Sequence, residues 1–248
     1  MTETKTQDKP KAANIEKKKD APLSTAVMPE GMGGLNNAEQ DDFSIDRLTV
    51  IQGTSKEIEL HGEHERGTWV YCSTGVALDI KDLPFVPIMG YNEWIKYAAG
   101  GTGAGIEYRT QNLADVNPDD LIWGTGKNDK GFAAVKHSNW VVLFEGHDMP
   151  VIISFKKTSL KSGQALSSME TARKVAAKRR GENPTPGLYC LDVRDKSFSE
   201  GSALIASPRP AGNPSEELLA FAVEWYNILG DSHNVASKDK GADEDIPI

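Results

Sequence analysis

Trp140-Val141-Val142-Leu143-Phe144 and Val151-Ile152-Ile153-Ser154-Phe155 decide the fold class of this chain. Each run is short, apolar and rich in β-branched and aromatic residues, which suits a strand and is too brief for a helix of its own. The link Glu145-Gly146-His147-Asp148-Met149-Pro150 supplies the turn residues of a hairpin. Beyond it a helix is expected from about Ser162 to Arg180, stopped by Gly181, with Ala165, Met169, Ala172 and Ala176 as a narrow apolar stripe. Two more strands follow, Leu188–Val193 and about Ser202–Ala206. The closing helix has Asn213 as cap, Pro214 in the first position, Glu216 as the acid of a capping box and Gly230 as its stop. Leu218, Phe221, Ala222, Trp225, Ile228 and Leu229 fall on its buried face.

On the N-terminal side of the hairpin, Thr68–Cys72 reads as a strand with Trp69 and Tyr71 on one face. Leu83–Met89 is apolar, but Pro84 and Pro87 restrict it to an edge or a bulge. Tyr91–Tyr97 is a further strand with Trp94 and Lys96 on one side, and Ile45–Gln52 a first strand or extended arm. This order is mostly β with α, and it matches an OB-like five-stranded barrel with a helix inserted between the third and fourth strands. Residues 98–139 then become long loops, and a different mixed α+β sheet fits the same order.

Composition sets the outer limits. The chain of 248 residues is 38% hydrophobic and 26% charged, enough for one good-sized core with flexible ends. Residues 1–34 are Lys-, Thr-, Ala- and Pro-rich and end in a Gly-rich joint, so they are expected to be a disordered tail; 35–230 form the core and 231–248 a second, acidic tail. No apolar run is long enough to span a bilayer, and Met1–Lys5 opens no secretory signal. Cys72 and Cys190 lie far apart without a CxxC spacing, as suits a reducing cytoplasm.

The net charge of −8 argues against a nucleic-acid ligand, but the charge is unevenly spread. Lys156, Lys157, Lys161, Arg173, Lys174, Lys178, Arg179 and Arg180 face a single acid, Glu170, within one stretch. Local field, more than net charge, attracts phosphates. Trp69, Tyr71 and Trp94 with Lys96 lie on strands, and Tyr108, Arg109, Trp123, Lys127, Lys130 and Lys136 on loops. Flat rings beside cations are what an unpaired strand needs: base faces stack on the rings and the backbone follows the charge.

Other chemistries fit less well. Gly126-Lys127 is followed by Asn128 and lacks the upstream glycine of a phosphate-binding P-loop. His61-Gly62-Glu63-His64-Glu65 has neither the zincin spacing nor the Pro-Cys-x-x-Cys partner of a zinc deaminase, so no metal is expected. Asp79-Ile80-Lys81 has the acid-x-Lys spacing of metal-dependent nucleases without a recognisable second acid. No cofactor and no catalytic set emerge.

The chain ends in Asp243-Glu244-Asp245-Ile246-Pro247-Ile248, three carboxylates leading into an apolar tip. This resembles the C-terminal peptide of bacterial single-stranded DNA-binding proteins, with Ile248 in place of their final Phe. Together with the lysine-rich N-terminus and the core layout, the chain is similar to phage-encoded single-stranded DNA-binding proteins, and Gly34–Gln52 resembles the N-terminal region of phage replication-associated proteins. The resemblance implies sequence-independent protection of single strands in replication or recombination, in the bacterial host's cytoplasm. It also implies contact of Asp243–Ile248 with a polymerase, helicase or recombinase; homo-oligomers are compatible with it. Two rival expectations are a phage regulator that binds RNA polymerase and a metal-dependent nuclease.

Overall fold

The computed structural model describes residues 45–52, 64–98, 105–126, 131–198 and 201–230. The expected tails, the tip Asp243–Ile248, Lys127 and Lys130 lie outside them. In chain order the strands are β1 (Arg47–Val50), β2 (Trp69–Tyr71), β3 (Ala77–Leu78), β4 (Phe85–Tyr97), β5 (Ile106–Thr110), β6 (Ala134–Phe144), β7 (Val151–Lys156), β8 (Leu188–Phe198) and β9 (Gly201–Gly212). Helix α1 (Leu160–Arg179) separates β7 from β8, and α2 (Glu216–Gly230) follows β9.

The expected hairpin is present as β6–β7, with Trp140 opposite Ile153 and Val142 opposite Val151. Around it the architecture departs from a five-stranded barrel. Nine strands form one open, mixed sheet in the order β3-β2-β1-β7-β6-β4-β8-β9, with β5 paired to the far end of β4. The β1–β7 pair is parallel and the remaining ladders are antiparallel.

The reason lies in the hairpin itself. Val142 and Phe144 face a core shared with Leu166 of α1, together with Phe85, Phe155 and Tyr189. Their neighbours Val141 and Leu143 face the other way, against Leu229, Leu218, Ala222 and Trp225 of α2. A strand covered on both faces reads as an unbroken apolar run, whereas a strand with one wet face alternates. Two helices on opposite sides hold the sheet open instead of letting it close on itself.

Side chains also link the segments next to β1 and β2 with β8 and β9. The Gln52 amide accepts from the Leu204 N–H (2.8 Å) and donates to the Leu204 carbonyl (3.0 Å), standing in for one rung of a ladder. Arg66 grips Asp195 through two nitrogens (2.7 and 3.3 Å) and also donates to Ser202.

Strand β4 joins two runs that Pro84 and Pro87 seemed to separate. A register shift between Pro87 and Met89 absorbs the proline that cannot donate to a ladder. Gly90 lies tight against its neighbour: a Cβ there would lie 3.0 Å from the Trp140 indole.

Helix α1 buries Ser162, Gly163, Leu166, Glu170 and Ala177, not the expected stripe, and leaves Ala165 and Ala172 exposed. Glu170 is the single acid of the basic stretch and is structural. Its Oε1 accepts from the Gly187 N–H (2.8 Å) and the Tyr189 hydroxyl (2.7 Å). Ser215, not Asn213, caps α2 by accepting from the Leu218 N–H (3.1 Å), while Asn213 accepts from Arg173 (2.9 Å).

At Gly163 the helix touches the sheet so closely that an added Cβ would meet Ser138 Oγ at 2.6 Å and Ser138 Cβ at 2.7 Å. Gly163→Ala should therefore destabilise the fold by about 1–3 kcal/mol, despite alanine's better helix propensity. Urea denaturation of the two proteins checks this; equal or higher stability of the variant would contradict the packing.

Candidate functional site

Past the reach of the helices the sheet changes character. Paired residues of neighbouring strands share a face, so the ladders Tyr91–Asn139–Ser154 and Glu93–His137–Lys156 place these six side chains on one side. Arg109, opposite Ile95, joins them from β5, and Arg47 from β1. Glu93 is fully buried at the centre. Arg109 Nε lies 3.1 Å from its Oε1, and Arg47 Nη2 lies 3.7 Å from its Oε2. Asn139 Nδ2 donates to Glu93 (3.1 Å), Ser154 Oγ donates to Asn139 Oδ1 (2.7 Å), and Arg47 Nη1 donates to Ser154 (3.2 Å). The result is a closed ring, Arg47–Ser154–Asn139–Glu93, with Arg109 attached.

Burial lowers the basicity of the Arg109 guanidinium, and Glu93 works against that shift. His137 is 2% exposed. Burial first, and then the cations Lys156, Arg47, Arg109 and Lys157, hold its pKa well below the usual imidazole range, so the ring is neutral.

The opposite face of the same strand ends carries different chemistry. Trp94 and Lys136 are directly paired across β4 and β6, with the ammonium 5.4 Å from the centre of the indole. A half-buried contact of this kind contributes about 0.5–2 kcal/mol. Lys96 and Tyr108 pair likewise across β4 and β5, 5.9 Å apart. A short turn at Pro118–Leu121, opened by the Asn117 side chain accepting from the Asp119 N–H, carries Asp120 to both of them. Lys96 lies 3.2 Å from Asp120 and 2.9 Å from Glu107, and the Tyr108 hydroxyl donates to Asp120 (3.0 Å). Nearby in sequence, Trp123 is 72% and Phe132 47% exposed, and their rings meet edge to face at 5.3 Å.

The residues singled out from sequence therefore separate into groups. Trp94, Lys96, Tyr108 and Lys136 come together on one surface. Lys157 and Lys161 are exposed around the start of α1, and Lys156 lines a cavity beneath. Lys174, Lys178, Arg179 and Arg180 are exposed at the far end of α1, with Arg180 paired to Glu182 (2.7 Å) and Arg173 half-buried.

The other residues singled out from sequence sit elsewhere. Trp69 is 5% exposed and packs within the core. Tyr71 is half-buried against the same core. Arg109 is held in the buried ion pair with Glu93, not along a groove. Asp79 and Lys81 follow β3 in a turn, where the Lys81 N–H donates to Asp79 (3.0 Å), and are not on a core strand. Sequence reading missed the Glu93 ring, His137 and Phe132. The available signal was polarity in the wrong place: His137-Ser138-Asn139 leads directly into the apolar run from Trp140.

A family model described as Pam3 phage gp34-like protein matches residues 15–231. No curated protein matches the chain, and no solved structure matches it.

The neutral, buried His137 makes stability depend on pH. Its folded pKa is depressed, so the unfolded chain binds a proton first as pH falls through about 6.5, and stability is lost from there downward. Between pH 7.0 and 5.5 this one group should remove about 1.3 kcal/mol. Denaturation at both pH values should show a loss smaller by that amount in His137→Gln; identical losses in the two proteins would mean that His137 accepts a proton in the fold.

Proposed function

The chain belongs to the Pam3 phage gp34-like protein family, and from that premise we propose that it is a phage protein that binds single-stranded DNA without sequence preference. The observation that carries this reading is the outward-facing row of rings and cations at the β4–β5–β6 end. Trp94, half-buried under Lys136, and the exposed pair Trp123–Phe132 offer apolar rings beside cations. Exposed tryptophan is expensive to leave in water, and stacking on a base recovers about 1–3 kcal/mol per base. Lys157 and Lys161 supply charge at the adjoining start of α1, and Lys127 and Lys130 lie in the segment between Trp123 and Phe132.

Binding would begin by electrostatic capture and continue by stacking. Bases have π-faces in common, so the surface needs no base-edge readout. The acidic tip Asp243–Ile248 would recruit a replication or recombination partner such as a polymerase, helicase or recombinase, and in the absence of DNA would compete for the basic surface. Among the described residues no helix is long and apolar enough to cross a membrane.

Fluorescence titration with single- and double-stranded oligonucleotides over a salt series tests the first part. Trp94→Ala and Trp123→Ala should each weaken single-strand binding by about 5- to 150-fold. Lys136→Gln should reduce the slope of log K against log salt by about 0.7. Undiminished affinity in both tryptophan variants, or equal affinity for duplex, would overturn the reading.

The tail is tested separately. Deleting residues 240–248 should raise single-strand affinity at low salt and abolish capture of the purified partner. If salt-matched affinities coincide, the tail does not occupy the binding surface.

A further inference from the structure

Helix α1 turns a face without an acid toward solvent. Its one carboxylate, Glu170, is buried and holds the Gly187 N–H and the Tyr189 hydroxyl. Lys161 near one end and Lys174, Lys178 and Arg179 near the other are exposed. Lys161 and Arg179 stand about five whole turns apart and so point the same way, while Lys174 and Lys178 lie one turn apart beside Arg179. Between the two groups Ala165, Ser167, Ser168, Thr171 and Ala172 are exposed, short and uncharged. The Ser168 and Thr171 hydroxyls are turned back to donate to the carbonyls of Gln164 and Ser167. Just past the helix the acid Glu182 is paired with Arg180.

The start of this face adjoins the ring surface. Gly163 lies against Ser138 of β6. Lys136, two residues before Ser138, projects from the same side of the sheet about 7 Å further along the strand. Trp94 is paired with Lys136 on that side. The ring of Trp94, the exposed Lys157 and Lys161, and the outer face of α1 therefore follow one another on one side of the sheet.

We propose that the outer face of α1 is a backbone track: a nucleic-acid strand that stacks on the rings beside β6 continues along the helix and sets its phosphates against Lys161, Lys174, Lys178 and Arg179. The helix carries no aromatic residue, so it has no ring to offer a base. Cations separated by short neutral side chains admit a sugar–phosphate chain at close range and position it without reading sequence. An acidic protein segment fits less well. Protein interfaces are anchored by large apolar side chains, and Val175 is the one large apolar residue exposed on α1. From Lys161 to Arg179 the helix rises about 27 Å, the length of roughly eight phosphates at the 3.4 Å spacing of a stacked strand. Affinity therefore grows with strand length until the track is filled. The inference rests on the single-strand reading for the point at which the strand enters the track.

The full chain is titrated with single-stranded thymidine oligonucleotides of about 4 and about 16 nucleotides over a salt series. The combined variant Lys174→Gln, Lys178→Gln, Arg179→Gln should lower the slope of log K against log salt by about 2 on the longer strand and weaken binding there at least about tenfold at low salt. The loss should be smaller on the shorter strand. These side chains are exposed, and circular dichroism confirms that the variant is folded. A control that removes as many exposed cations elsewhere, Lys81→Gln, Arg194→Gln, Lys196→Gln, should leave the slope unchanged. An unchanged slope in the α1 variant overturns the proposal and leaves the face to an acidic protein segment. An equal loss in the control, or an equal loss on both strand lengths, overturns it as well. Trp94→Ala and Trp123→Ala, measured on the same strands, separate the two readings. Their effect without that of the α1 variant removes the track alone, and the reverse removes the stacking surface alone.

Discussion

Strand β6 meets water on neither face between Trp140 and Phe144, and the surrounding structure follows from that constraint. Five consecutive residues, all buried, demand cover from both sides. Helix α1 provides it on one side through Leu166 and the close approach at Gly163, and α2 on the other through Leu218, Ala222, Trp225 and Leu229. Fully burying a large apolar side chain contributes about 1.5–3 kcal/mol, so this short segment is a main source of the fold's stability. It also fixes register. A slip by one residue would exchange the two helix-facing sets, and Gly90 would no longer lie opposite the Trp140 indole.

Where the cover of α2 ends after Leu229, the same face must be satisfied by other means. The sequence supplies charge instead of hydrocarbon. A buried carboxylate such as Glu93 is tolerable only when paired and hydrogen-bonded, and removing one partner of such a pair costs about 3–5 kcal/mol. Its three contacts come from β1, β5 and β6, with Ser154 of β7 closing the ring. The network thus ties together five strands, among them β1 and β7, which pair over only two positions. Between β1 and β7 polar side chains supplement a short ladder.

How far this was legible depends on the kind of signal. The β6–β7 hairpin and both helices could be read from local pattern, since apolar runs and caps are local properties. The unbroken run Trp140–Phe144 even carried the evidence against a barrel, because continuity, not alternation, marks burial on two faces. What could not be read was pairing at a distance. Pro84 and Pro87 divide β4 on propensity alone, and only the bulge opposite Val142 and Val141 shows how one strand spans both halves. Strand β5 was hidden in a presumed loop because Glu107 and Arg109 are charged. The stripe of α1 was misplaced because Gly163, Ala165, Ala172 and Ala177 offer small side chains on several sides, so periodicity has little to act upon. Arg109 looked like a groove cation because its partner Glu93 is sixteen positions away and fully buried.

The period of two in a strand also explains how one short stretch can serve two chemistries. Lys136 and His137 are neighbours in sequence, yet Lys136 lies over Trp94 on the open face while His137 points into the cavity behind the sheet. Lys96 and Glu93 divide in the same way along β4, one held by Asp120 and Glu107, the other by two arginines. The rigid sheet between them fixes the separation of the two surfaces to that of a single strand's thickness. The Trp94–Lys136 face on one side and the cavity lined by His137 on the other are thereby held in constant register. The closed ring of Arg47, Ser154, Asn139 and Glu93 is what keeps that register from relaxing, because none of its members can turn toward solvent without leaving another buried and unpaired.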